Sequence, residues 1–323
     1  MFSFVFSKSQ IAYLLTKLEL VPKAYSPWAD LGNPKSTKAA TSKIEKELQT
    51  AKVLLPSNED GANRVNTVVA GALGMICQPD SLLEITVQTR EKFERRLYCG
   101  YKHTFAGLVV SDKNYVITTP LSEQVIRSFI IEHLQADDLS PDEILLSGSE
   151  SLILALVFDL YSHAKSKTKF SFSVADLVDK LSQDQNQPQD FYTDVYGKPD
   201  KSQIETIISK WLEAGWLSDP KAAPNANAKS VFSLSSQLID LAKVSAEGKS
   251  LIISRRDFGA DLKSPFRAVT FLQGSKQLWL QQTYVAKEPV VVFRQIDMPT
   301  ATFIVSSAVR RADTFAVAYQ PVF

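Results

Sequence analysis

The chain has 323 residues, of which 45% are hydrophobic and 22% charged, with 36 basic against 35 acidic side chains and a net charge of +1. Those values exclude a disordered chain or a fibre, and no global field draws the molecule to nucleic acid or to an anionic membrane. The length suits two domains of about 100–200 residues each.

The start, Phe2 to Phe6, is apolar but lacks the basic segment and long apolar run of a signal peptide. Ser7 or Ser9 can cap a first helix, Ser9 to Leu20, in which Ile11, Leu14, Leu15 and Leu18 recur at helical spacing. Ile44, Leu48 and Ala51 mark a second helix, closed by Pro56, and Val65 to Cys77 a third. The period then changes to two: Leu83, Ile85 and Val87 alternate with Glu84, Thr86 and Gln88, the pattern of a half-buried strand. Segments 95–103, 107–110 and 115–118 complete an antiparallel meander. A closing helix follows, with Val125, Phe129, Ile130 and His133 on one side.

The polar, acidic stretch Gln135 to Ser147 reads as a domain boundary, so residues 1–140 form one half and 141–323 the other. Beyond it, a helix from Ser149 through Leu152, Leu156 and Leu160 is apolar on nearly every face and predicts a core helix. Leu152 to Phe158 is the longest apolar run, far below the roughly 20 residues that span a bilayer. Phe170 and Phe172 suggest a short strand. Val174 to Leu181 and Ile204 to Leu212 suggest helices, the second ended by Gly215 at its C′ position. A polar loop over 183–200 separates them. After another loop, 219–229, come Val231 to Leu234 and a helix around Leu238 and Leu241. Strands are then expected over 268–273, 277–286, 290–295, 302–308 and 314–319, making a sheet within 266–319. The fold class is α+β, with two quasi-repeated halves of helices followed by an antiparallel meander. Ile44, Leu48 and Ala51 match Ile208, Leu212 and Gly215 at one offset.

No reagent stands out. His103, His133 and His163 are far apart in sequence, no pair has metal-ligand spacing, and no phosphate-cradling glycine pattern occurs. Gly71 and Gly74 read as close-packing positions in a helix. Asp137, Asp138, Asp142 and Glu143 lie in the linker and read as solvated. The two cysteines, Cys77 and Cys99, cannot build a disulfide framework and suit a reducing cytosol. The expectation is a cytoplasmic, non-catalytic protein with no cofactor and no metal, which works by binding a protein.

Two surfaces are candidates. Residues 149–246 follow the order helix, strand, helix, helix, loop, strand, helix of a winged helix, a nucleic-acid-binding fold in many proteins. Lys165, Lys167, Lys169, Lys201 and Lys210 would carry that alternative. The same segment holds ten lysines, no arginine and twelve acidic residues, a net charge of −2, which weighs against DNA. The second surface is the sheet, where the aromatics Tyr98, Tyr101, Trp279, Tyr284 and Phe293 sit on strands with polar neighbours and form the candidate partner-binding set.

The order of features over most of the chain resembles the EspG family, chaperones of type VII (ESX) secretion, and the first half carries most of the resemblance. The first helix leads into Leu-Val-Pro-Lys-Ala-Tyr-Ser-Pro at 20–27. Helix 42–51 runs into Ala-Lys-Val-Leu-Leu, and Val69 to Ile76 leads through Gln78-Pro79-Asp80 into a strand. Lys52 stands where the family pattern has glycine, and the 183–200 stretch is foreign to it. The resemblance implies a quasi-twofold α/β arrangement and a cytosolic chaperone or adaptor that recognises a helical secretion substrate of the PE/PPE type. It marks no binding residue.

Overall fold

A computed structural model describes residues 1–31, 38–56, 63–89, 91–111, 113–136, 143–167, 170–183, 198–219, 230–258, 267–275, 277–284 and 290–310. The first half runs β1 (Phe2–Ser7), α1 (Lys8–Lys17), α2 (Lys38–Thr50), β2 (Leu54–Pro56), β3 (Asn63–Val65), α3 (Thr67–Cys77), β4 (Ser81–Gln88), β5 (Phe93–Tyr101), β6 (Thr104–Val110), β7 (Asn114–Leu121) and α4 (Glu123–Ile131). The second runs β8 (Glu143–Ser147), α5 (Gly148–His163), α6 (Val174–Gln183), α7 (Lys201–Glu213), β9 (Leu217–Ser218), β10 (Ser233–Leu234), α8 (Ser236–Glu247), β11 (Lys249–Asp257), β12 (Arg267–Gln273), β13 (Leu278–Tyr284), β14 (Val290–Gln295) and α9 (Met298–Val309).

One ten-stranded antiparallel sheet joins both halves, in the order β1-β7-β6-β5-β4-β11-β12-β13-β14-β8. β4 and β11 meet at its centre, Ile85 opposite Ile253. On either side a four-stranded meander runs outward to an end strand, β1 or β8, that precedes its half's helices in sequence. Each half also carries a helix, a small two-stranded hairpin and a second helix: α2-β2-β3-α3 and α7-β9-β10-α8.

Strand alternation sorts side chains onto two faces. On one face Leu83, Ile85, Tyr98, Leu251, Ile253, Phe271 and Leu280 pack against Ile126 and Ile130 of α4 and Ile304 and Val305 of α9. Among the described residues, the other face is covered only toward its ends. At the β1 end, α1, α2 and α3 bury Leu97, Cys99, Leu108 and Ile117. At the β8 end, α5 to α8 bury Leu146, Trp279, Val291 and Phe293. α5 is buried around most of its girth, from Leu152 to Tyr161, as its all-round apolarity predicts.

Several expectations need correction. Phe2–Ser7 is a strand, capped into α1 by Ser7 through a capping box with Gln10. The linker is in part strand β8: Ile144 and Leu146 point into the core while Leu145 stays 53% exposed, and Glu143 accepts a 2.6 Å hydrogen bond from Arg294 on β14. Asp137, Asp138 and Asp142 lie outside the described residues. Segment 302–308 is helix α9 rather than strand. Asp297 caps it, Pro299 sits in its first turn, and Ala301, Ile304, Val305 and Ala308 keep helical spacing, which outweighs its β-branched content. Strand 314–319 lies outside the described residues. On α4 the buried pair is Ile126 and Ile130, and Val125 is 47% exposed. A Cβ at Gly71 or Gly74 would meet no atom within 4 Å, so close packing does not explain either glycine. The central strand β11 goes unanticipated, because its Leu251-Ile-Ile-Ser254 run is short and follows a helix directly.

Candidate functional site

Between its two helical covers, the described residues leave the middle of the second face partly open. Ser250 and Ile252 of β11 point there, on the opposite side from Leu251 and Ile253. They lie beside Gln88 and Thr86 of β4, and Ile252 faces Thr270 of β12. α5 and α8 form the wall. The result is a cleft of about 590 Å³ whose apolar lining includes Ala155, Phe158, Val244, Ile252 and Leu272. A second hollow of about 650 Å³ shares Thr89, Val244 and Gly248 with it and runs along the end of α8. Gly248 permits the close approach there. A Cβ on it would sit 2.2 Å from the Val244 carbonyl oxygen and 2.5 Å from that of Gln273.

The chemistry of the first cleft is one of contact. Gln88, Ser250, Thr270 and Gln281 offer neutral donors and acceptors, and among the described residues no charged side chain, histidine or cysteine lines it. Such a surface desolvates cheaply and suits apolar side chains with a few hydrogen bonds around them. The three histidines are dispersed. His103 is exposed, His133 lies against Phe129 with ring centroids 4.5 Å apart, and His163 sits beside Asp159 at the end of α5. Among the described residues no group of three His, Cys, Asp or Glu could hold a metal ion.

The five aromatic candidates do not converge. Tyr98, Trp279 and Phe293 are core residues, 5%, 1% and 7% exposed, which leaves little of these side chains to a partner; Phe293 borders the cleft, and Tyr98 borders a separate hollow on the α4 face. Tyr98 packs on the α4 face, opposite to the other two. Tyr101 is exposed at the end of β5, beneath Lys102. Tyr284 is half-buried at the end of β13, where desolvation raises its pKa, and it donates to Gln282. β-strand aromatics fill the interior here because every second position of these strands lies beneath a helix.

The lysines are largely engaged within the chain. Lys210 on α7 reaches Glu150 on α5 at 2.6 Å, Lys201 lies 3.7 Å from Glu205, and Lys167 sits over the Tyr161 ring at 5.6 Å. Lys165 is exposed, and Lys169 lies outside the described residues. Phe172 bridges Phe232, and β10 pairs with β9.

The cleft residues Ser250, Ile252 and Thr270 escape sequence reasoning. The only available signal is the alternation in β11, and it does not reveal that α5 and α8 stop short of them.

No family model matches the chain, and no curated protein matches it in sequence. Among solved structures it is similar to the type VII secretion system chaperone EspG5 of Mycobacterium tuberculosis, solved in complex with a PE25-PPE41 dimer. The match covers 99% of this chain and 98% of that one, with a TM-score of 0.54 and 8% identity. The fold is EspG-like. At 8% identity the likeness is one of architecture.

Proposed function

We propose that this protein is a non-catalytic cytoplasmic chaperone or adaptor that holds a helical protein partner, of the kind exported by a type VII-like system, in the cleft between α5, α8 and the middle of the sheet. The reading is supported above all by the end-to-end likeness to a chaperone solved with its protein partner. The cleft's uncharged lining agrees with it, since an apolar helix face can be buried there without stranding a charge. Among the described residues no helix is long and apolar enough to cross a membrane. The two halves, 1–140 and 141–323, act in this reading as one platform, because a partner lying on β4 and β11 touches both.

The order of elements in 149–246 favours a second reading, a winged helix that binds nucleic acid. Against it, two of its described lysines are already paired, Lys210 with Glu150 and Lys201 with Glu205.

Affinity capture from the cell of origin tests the proposal. Full-length protein is expected to recover a helical exported protein. Ile252→Arg or Ala155→Arg, each placing a charge in the cleft, should reduce recovery about tenfold or more while leaving the melting temperature near that of the parent chain. Recovery of DNA alone, with an affinity that falls steeply as salt rises, would sink the proposal in favour of the winged-helix reading.

A further inference from the structure

β1 ends the ten-stranded sheet. It pairs with β7 on one side, and among the described residues no hydrogen bond reaches its other edge along Phe2–Phe6. Such an edge turns the N–H and C=O groups of alternate residues outward, ready to template another strand. Proteins ordinarily blunt these edges with charge, proline or a bulge. β1, Phe-Ser-Phe-Val-Phe-Ser, has no charge and no proline, and its register with β7 is unbroken from Phe2↔Thr119 to Ser7↔Asn114. Phe2 and Val5 are 55% and 62% exposed. The opposite end strand is protected: β8 opens with Glu143, held by Arg294, and leads straight into α5.

The edge is also self-complementary. Read in reverse about Phe4, the strand sets Phe4 against Phe4, Phe2 against Phe6 and Ser3 against Val5, with no charge on either side. Phe2, Phe4 and Phe6 already stack along one face, at centroid separations of 6.5 and 6.1 Å. In the reversed copy the exposed Phe2 lies across the buried Phe6 of its neighbour, and facing aromatics of this kind stabilise antiparallel pairs. Pairing β1 with β1 closes as a twofold dimer, whereas pairing β1 with β8 would propagate as an open filament.

We propose that β1 is a dimerisation edge: two copies of this chain pair antiparallel through β1 about a twofold axis at Phe4, joining their sheets into one. Two six-residue strands make a small contact, so the dimer forms at micromolar rather than nanomolar concentration.

Sedimentation velocity of the full chain from about 1 to about 200 µM, the range of a weak interface, should show a monomer passing to a dimer. Ser3→Lys with Val5→Lys sets lysine opposite lysine at two exposed positions and should weaken association about tenfold or more. Ser3→Lys with Val5→Glu sets opposite charges face to face and should keep the dimer. In the parent chain, amide exchange over residues 2–6 should slow as concentration rises, a readout that needs no variant. A parent chain that stays monomeric throughout, a dimer unaffected by the double lysine variant, or equal loss in both double variants would overturn the proposal. So would loss of the dimer in Leu145→Lys, which would move the contact to β8.

Discussion

Lys52 and Gly215 occupy the same turn in the two halves of the molecule. Each follows a helix with a positive φ, 57° and 71° respectively. Around each, the next residue's N–H returns to the helix: Val53 to the Leu48 carbonyl and Trp216 to the Trp211 carbonyl, both at 2.9 Å. These are Schellman turns, and each feeds a two-stranded hairpin. The correspondence is therefore Lys52 with Gly215, one residue later than the match of Ala51 with Gly215 that apolar spacing suggests. The conformation is one that glycine adopts without strain.

A lysine in the left-handed region costs about 1 kcal/mol relative to glycine. Lys52→Gly is thus expected to stabilise the protein by about that amount, and Gly215→Ala to destabilise it by a similar amount. Urea unfolding midpoints at constant slope read both changes.

Glu150 serves two elements at once. It closes the capping box of α5 by accepting from the Ser147 N–H at 2.7 Å, and it receives Lys210 of α7 at 2.6 Å. Burial pushes its pKa up, but the bonds from Lys210 and Ser147 outweigh that and hold the carboxyl below the usual glutamate range. A folded-state pKa below the unfolded one contributes stability that is present above the ordinary glutamate range and lost as pH falls through the folded value. Glu150→Gln should therefore cost about 1–2 kcal/mol near neutral pH, moderated because the Lys210 ammonium is in water. It should also narrow the difference in melting temperature between pH 7 and pH 3, as followed by circular dichroism.

The aromatic residues divide by burial. Trp279→Ala empties a core site under α5 to α8 and is expected to cost about 3–5 kcal/mol. Tyr101→Ala, at an exposed strand end, should change stability by no more than about 0.5 kcal/mol. Paired denaturation curves distinguish the two.

Cys77 and Cys99 are both fully buried in the cluster beneath α1, α2 and α3, and burial pushes each thiol up to about 12. Neither is expected to react with an aromatic disulfide reagent near neutral pH while the chain is folded, and both should react once it is unfolded in denaturant. Rapid labelling of the native protein would contradict that arrangement.

Local sequence determined what local chemistry controls. Leu83, Ile85 and Val87 announce a strand by their period, Ser7 is a capping residue at a helix start, and the missing metal and phosphate motifs direct attention to binding. The α+β class follows from those periods. Where two local signals conflict, the sequence misleads: Ile304 and Val305 are β-branched, yet Asp297 and Pro299 start a helix through them. Likewise Ile144 and Leu146 are hidden in a polar context, although each completes the outer strand of the sheet.

Only the tertiary structure decided where the working surface lies. Whether a strand aromatic is a contact or a core residue depends on which helix covers that face, and the helices come from distant parts of the chain. Trp279 is covered by α5 to α8, whereas Ile252, on a neighbouring region of the same sheet, borders the gap they leave. Period and composition see one residue and its near neighbours, while a cleft is made by elements that stop short of one another in space.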